Sequence, residues 1–267
     1  MKKSMDNSER PAIADLRSGF ASLSSLLRAW RAEAGMKNGR RKPLPQKEVA
    51  ARMGVSERWY RSLETGTPMS LSHETLTSLA DALELGPHER AALFWNALSE
   101  IVDKGGQEHA EIKMDRLKEF VSAQSRFPAY LIDHSWNVIG YNDKMAEWFP
   151  WVRTKGANLM RWVLESPESR EQIVDWPAHA TLYLAQLRFA LVGYPDDPIL
   201  NDLLTSALRS PECRDLWDSG PRIIAFRQGG EFRLSLPAIS ASELMVTSQV
   251  LLPAYCSRVR FVTLLPS

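Results

Sequence analysis

The side chains best suited to chemistry crowd into one short stretch, GVSERWYRSLETG. Glu57, Arg58, Trp59, Arg61 and Ser62 share the face that its apolar residues leave exposed. Guanidinium forks, a carboxylate and a hydroxyl on one helix face are what reading base edges in a DNA groove requires. Arg61 points near a nucleic-acid backbone and could hold phosphate. Trp59 either touches sugar or a thymine methyl, or covers Leu44 and the core, and packing is the reading we favour. Just upstream, Arg40, Arg41 and Lys42 cluster in MKNGRRKPLP. They suit straddled phosphates or a merely solvated loop. The plain alternative for the whole stretch is a helical hairpin with a polar face.

Covalent and acid–base chemistry find little support. His73, His88, His109, His134 and His179 are scattered, and neither cysteine nor any serine has a nucleophile setting. There is no phosphate-cradling glycine loop and no metal-ligand spacing. The expectation is a non-enzyme without cofactor.

The elements that position the polar face follow from spacing. QKEVAARMGVSERWYRSLET, from Gln46 to Thr65, reads as two short helices hinged at Gly54. Val49 and Met53 share a face of the first helix, and Tyr60 and Leu63 a face of the second. Ala50 and Gly54 are small where two steeply crossed helices nearly touch. Gly54 can take the positive φ of a tight turn, and Ser56 can cap the second helix. Upstream, Phe20, Leu23, Leu26, Leu27 and Trp30 recur at helical spacing, ending near Gly35. Downstream, helices begin at Ser72 and Pro87, the latter carrying core candidates as far as Leu98 and Ile101, for five helices by about residue 101.

Residues 22–85 resemble the helix-turn-helix domain of the Cro/lambda-repressor (XRE) family. The resemblance implies groove-facing roles for Ser56, Glu57, Arg58 and Ser62, with Arg58 on guanine and Glu57 accepting from cytosine. It places Gln46 where a helix start meets phosphate, and it pairs Arg31 with Glu64 as a structural link. Pro45 stands where the family often has a hydroxyl cap.

Beyond a polar break at 103–110 the pattern changes. Residues 111–125 read as a helix, with Met114, Leu117, Phe120 and Val121 on one face. Ala129–Ile132 and Val138–Tyr141 read as a hairpin. Helices follow at roughly 142–149, 156–165, 168–175, 177–192, 197–209 and 211–218. Strand-like runs then come at Arg222–Arg227, Glu231–Leu236, Leu244–Leu252 and Val259–Leu264, with Gln228-Gly229-Gly230 as a hairpin turn. FPAYLIDHSWNVIGYN, FPW, NLMRW, YPDDP and RSPECRDLW are similar, in order, to MmyB-like transcription regulator ligand-binding domains. That resemblance runs from about 115 to 264. It implies a PAS-like fold that senses a small, acyl-like molecule.

The expected architecture has two domains. An all-α helix-turn-helix DNA-binding domain spans 16–101, a linker 102–110, and an α+β PAS-like domain 111–267, its antiparallel sheet covered by helices on one face. An apolar cavity between sheet and helices is expected, lined by Trp136, Trp151, Leu159, Trp162, Tyr183, Leu187 and Phe226. Arg161 and Arg188 could meet a ligand carboxylate, or be structural partners of Asp175, Asp196 or Asp197. Apolar walls with one cation suit a fatty-acid-like or other amphipathic ligand.

Charge supports this division. Residues 16–71 hold eleven Lys/Arg and four acidic residues, a net +7, whereas the remainder holds 22 and 28, a net −6. A basic head suits phosphate. Cys213 and Cys256 form neither a zinc motif nor a disulfide framework, which fits a reducing cytoplasm. Cys213 reads as a small packed hydrophobe, although it could serve as a thiol sensor if Arg209 and Arg214 depressed its pKa. The N-terminus lacks the apolar core of a signal peptide, and no run approaches a membrane span. The leading expectation is a cytoplasmic, ligand-responsive regulator that binds double-stranded DNA as a homodimer, without a membrane partner. The alternative gives the PAS-like domain no ligand and only dimerisation or a docking role.

Overall fold

The computed structural model describes residues 23–67, 71–102, 110–220, 222–225, 230–253 and 258–266. Expectations that rest on Phe20, the 103–109 break, Phe226–Gly229 and Cys256, or on the side chains of Leu98 and Ile101, lie outside the described residues. Two compact units form. The first holds the described chain up to Val102 with Ala185–Asn201 and Asp218–Ala225, and the second holds the rest.

In the first unit α1 (Leu23–Lys37), α2 (Gln46–Met53), α3 (Glu57–Glu64), α4 (His73–Ala82) and α5 (Pro87–Val102) follow in order. Their core is fully buried at Leu26, Leu27, Trp30, Val49, Tyr60 and Leu79, and the same cluster takes in Phe189, Val192, Ile223 and Ala225. The hinge between α2 and α3 forms as the spacing predicts. Gly54 adopts φ 70°, and Val55 N–H donates to Ala50 O at 3.0 Å, closing a left-handed helix end. Ser56 Oγ accepts from Trp59 N–H and starts α3. Pro45 precedes α2 without a side-chain cap.

The second unit begins with α6 (Ala110–Ser122), then β1 (Ala129–Asp133) and β2 (Val138–Tyr141). Helices α7 (Asp143–Trp148), α8 (Leu159–Glu165), α9 (Pro167–Gln172), α10 (Trp176–Gly193), α11 (Pro198–Ala207) and α12 (Pro211–Asp218) follow in the chain, with the stretch Ala185–Asn201 of α10 and α11 counted in the first unit. A 3-10 turn, Pro150–Arg153, lies between α7 and α8. β3 (Gly230–Leu234), β4 (Leu244–Leu251) and β5 (Val259–Pro266) complete a five-stranded sheet of order β2-β1-β5-β4-β3, antiparallel throughout.

Side chains alternate across this sheet. Tyr130, paired with Val262, faces the helical block. Leu131, paired with Phe261, faces the other way, where Val121, Leu117 and Met114 of α6 cover it. Coverage on both faces is why Ala129–Ile132 is continuously buried. The helical block thus lies on one face as expected, and α6 adds cover to part of the other, which the sequence pattern did not indicate. Arg222–Ala225 is a correction. It forms no strand, although Ile223, Ile224 and Ala225 are buried. A short apolar run does not by itself distinguish a ladder from a buried coil.

Candidate DNA-reading helix and ligand pocket

Helix α3 is held by its buried end. Glu64, 2% exposed in its side chain, accepts from Arg31 Nε at 3.0 Å and Nη2 at 2.9 Å, and from Gln46 Nε2 at 2.5 Å. Arg31 Nη1 also donates to Leu44 O at 2.7 Å. One arginine therefore ties α1, the incoming loop and α3, as the family resemblance implied. Gln46, expected at phosphate, is engaged with Glu64, and its Oε1 accepts from Arg61 Nε at 3.3 Å. It stands at the start of α2, where Pro45 gives no side-chain cap and Pro45 O accepts from Glu48 N–H at 2.9 Å.

The opposite face of α3 is open. Arg58 is exposed, and its side chain makes no hydrogen bond or ion pair among the described residues. Arg61 pairs with Glu57 at 3.0 Å, one turn apart. Ser62 Oγ donates to Arg58 O, and Ser56 is the exposed cap. Trp59 packs against the core, the role favoured for it. In the basic loop, Arg40 is tied to Glu48 at 2.8 Å, whereas Arg41 and Lys42 are exposed and unpaired among the described residues.

In the second unit a partly open pocket of about 410 Å³, mouth included, lies between sheet and helices. Its interior is narrow, with room for roughly three water molecules. Tyr130, Leu264, Phe232 and Leu234 rise from the sheet side. Met145, Phe149, Trp151, Leu159 and Trp162 close one flank, and Ile173, His179 and Tyr183 another. The rings interlock. Trp151 stacks on Trp162 with centroids 5.0 Å apart and planes 14° apart, and Phe149 meets Trp162 edge-on at 5.5 Å. His179 meets Phe232 edge-on at 5.8 Å. Trp162 Nε1 donates to Glu168 Oε2 at 3.2 Å. Trp151 Nε1 is buried without a hydrogen-bond partner among the described residues.

Of the expected lining, Trp151, Leu159, Trp162 and Tyr183 meet here. Trp136 does not. It is buried in the β1–β2 turn at φ 63°, with Arg260 over its ring at 5.3 Å. Leu187 lies one helical turn past Tyr183, about 6 Å along the axis, and belongs to the first unit. Phe226 lies outside the described residues. Neither arginine lines the pocket. Arg161 bonds Glu165 at 3.3 Å and also Asp202, an acid not among those expected. Arg188 is buried and donates to Arg222 O at 2.6 Å, with burial lowering its pKa to about 10 against the opposing pull of Asp218. Cys213 is fully buried, and burial raises its thiol pKa, the reverse of what a sensor needs. Arg170, not Arg209 or Arg214, is the arginine that opposes this.

Sequence reasoning missed Tyr130, Met145, Phe149, Ile173, His179, Phe232, Leu234 and Leu264 as lining. The signals were present: His179 precedes Tyr183 by one turn, and the strand residues alternate onto one face.

Among the described residues no helix is long and apolar enough to cross a membrane. Residues 22–93 match the model of a helix-turn-helix domain. Residues 114–266 match that of the MmyB-like transcription regulator ligand binding domain. No curated protein matches the chain. A helix-turn-helix head and a ligand-binding body make this a ligand-modulated transcription regulator, and the chain belongs to the MmyB-like family.

Proposed function

We propose that the chain reads operator DNA as a homodimer through α3, and that a small amphipathic ligand in the ring-walled pocket modulates this binding. The observation that carries the reading is the contrast on α3. One face is locked by Arg31 and Glu64, while the other presents Arg58 exposed and unengaged. A pre-positioned guanidinium suits bidentate contact with guanine, and Arg41 and Lys42 suit phosphate. One helix reads too few base pairs to find a site in a genome, which favours two copies.

Selection of bound duplexes from a random pool, followed by footprinting, tests this. The expected result is a near-palindrome with half-sites one helical turn or a multiple apart. A single short half-site protected at saturating protein would refute the dimer.

The pocket supports an amphipathic ligand with an apolar body. A fatty-acid-like ligand also needs a partner for its carboxylate. No arginine or lysine lines the pocket among the described residues, so that head group would sit at the mouth in water. The narrow interior favours a second reading, in which the domain carries no ligand and serves pairing or docking. Mass spectrometry of compounds extracted from purified protein separates the two.

A further inference from the structure

We infer that His179 and Tyr183 receive the head group of a fatty-acid-like ligand, and that its tail runs inward from them. The inference deepens the reading that this pocket takes such a ligand, and rests on it. The lining divides by exposure. Met145, Leu159, Ile173, Leu234 and Leu264 are buried and wholly apolar, and they form the floor. His179, Tyr183, Phe232 and Trp151 are half-buried and mark the mouth. Of these four, Phe232 has no polar atom, and the Nε1 of Trp151 is shut off from water. The polar groups of the rim are therefore the imidazole and the phenol.

Helical spacing sets these two side by side. Tyr183 follows His179 by one turn of α10, about 6 Å along the axis, and both line the pocket. Phe232 meets the His179 ring edge-on at 5.8 Å and backs it from the sheet side. An imidazole N–H and a phenol O–H both donate, and the two oxygens of a carboxylate can accept from both. At a half-buried rim the charge keeps part of its water, so it escapes the penalty of an unpaired buried ion. The deeper polar groups offer less. Tyr130 is 5% exposed and brings a single hydroxyl, and Trp162 Nε1 is engaged with Glu168. An amphipathic ligand thus has one favoured direction, with its head at α10 and its tail on the aliphatic floor.

Equilibrium dialysis of decanoate and decanol against the full chain at neutral pH tests this. The two share a tail, but only decanoate carries a charged acceptor. His179→Leu should weaken decanoate about tenfold, the low end for a hydrogen bond to a charged group, and should change decanol less than about threefold. His179→Gln, which keeps an N–H donor, should recover part of the loss, and Tyr183→Phe should weaken decanoate about threefold. Equal weakening of both ligands in His179→Leu would overturn the inference, because a residue that merely walls the tail acts on both. Unchanged decanoate binding in both His179→Leu and Tyr183→Phe would overturn it too. Nuclear Overhauser contacts in the unaltered chain decide the matter even if a variant fails to fold. The C2 methylene of bound decanoate should lie near the His179 and Tyr183 rings, and its terminal methyl near Met145 and Leu264. The reverse order would overturn the inference and leave the ligand-binding reading intact. If neither probe bound and no compound were extracted from the purified chain, the ligand-binding reading would fall and the inference with it.

Discussion

Replacing Glu64 by alanine should open the DNA-binding unit locally. The carboxylate is 2% exposed and takes three donor contacts, two from Arg31 and one from Gln46. Removing it leaves the Arg31 guanidinium, itself 16% exposed, with Leu44 O as its remaining partner. Breaking a buried pair from one side costs about 3–5 kcal/mol, because the other charge is left uncompensated. Arg31 keeps one acceptor and some water, so the lower end applies, about 3 kcal/mol. Read as hydrogen exchange of amides in α2 and α3, that is roughly 100-fold faster exchange where opening limits it. Exchange followed by mass spectrometry gives this number peptide by peptide, with the β1–β5 peptides as an internal reference. The double variant Arg31→Met/Glu64→Leu should recover most of the loss, since apolar replacements of a buried pair leave no stranded charge. A change under about threefold in Glu64→Ala, or a double variant worse than the single, would refute the assignment of this pair as the clamp on α3.

Arg58→Ala should compress the ratio of cognate to scrambled binding, by the about 1–3 kcal/mol that a bidentate base contact contributes. Arg41→Ala with Lys42→Ala should instead weaken both duplexes alike and lower the salt slope by about 1.8, which titrations at several salt concentrations would show. Gly35→Ala should destabilise the first unit by about 2 kcal/mol, read as a lower melting temperature. The new Cβ would stand 2.4 Å from Lys42 O and 3.0 Å from Leu44 N, both backbone atoms that must shift. Cys213 should resist iodoacetamide at mildly alkaline pH in the native chain, because its raised pKa keeps the thiol protonated and burial excludes the reagent. Peptide mapping after alkylation checks it, and rapid labelling of Cys213 would contradict its placement.

The helix-turn-helix was legible because its information is local. Val49, Met53, Tyr60 and Leu63 declare their faces by spacing alone, and Gly54 and Ser56 mark the turn. Five of the six expected strands were legible for the same reason, with bounds that shift by only a residue or two, whereas Arg222–Ala225 is a buried coil. What sequence left open is non-local. Arg161 could be given a structural role, but its acid, Asp202, stands forty-one residues away and was not among the candidates. Arg188 lies on the same helix as Tyr183 yet turns to Arg222 O, a backbone atom that carries no side-chain signature. Four of the twelve residues that line the pocket were legible. Large aromatics in a helical block announce burial, but which of them face a cavity depends on where the sheet lies beneath them.

Trp136 shows how a residue outside the pocket can still shape it. A bulky side chain at φ 63° is strained by about 1–3 kcal/mol. The surrounding hydrogen bonds hold it there. Asp133 Oδ1 accepts from the N–H groups of Ser135 and Asn137, each at 2.9 Å, and Trp136 N–H donates to Asp133 O at 3.1 Å. The left-handed turn aims Trp136 O at Leu159 N–H, 2.9 Å away, one of the first free donors of α8. Asn158 closes the arrangement, capping α8 through Arg161 N–H and donating to Ser135 O at 2.8 Å and Asn137 Oδ1 at 3.0 Å. The start of α8 is thereby fixed to the hairpin, and α8 brings Leu159, its first residue, and Trp162, one turn later, to the pocket wall. The strain at Trp136 is thus offset by the hydrogen bonds that set the angle of α8, and with it the indole plane against which Trp151 stacks.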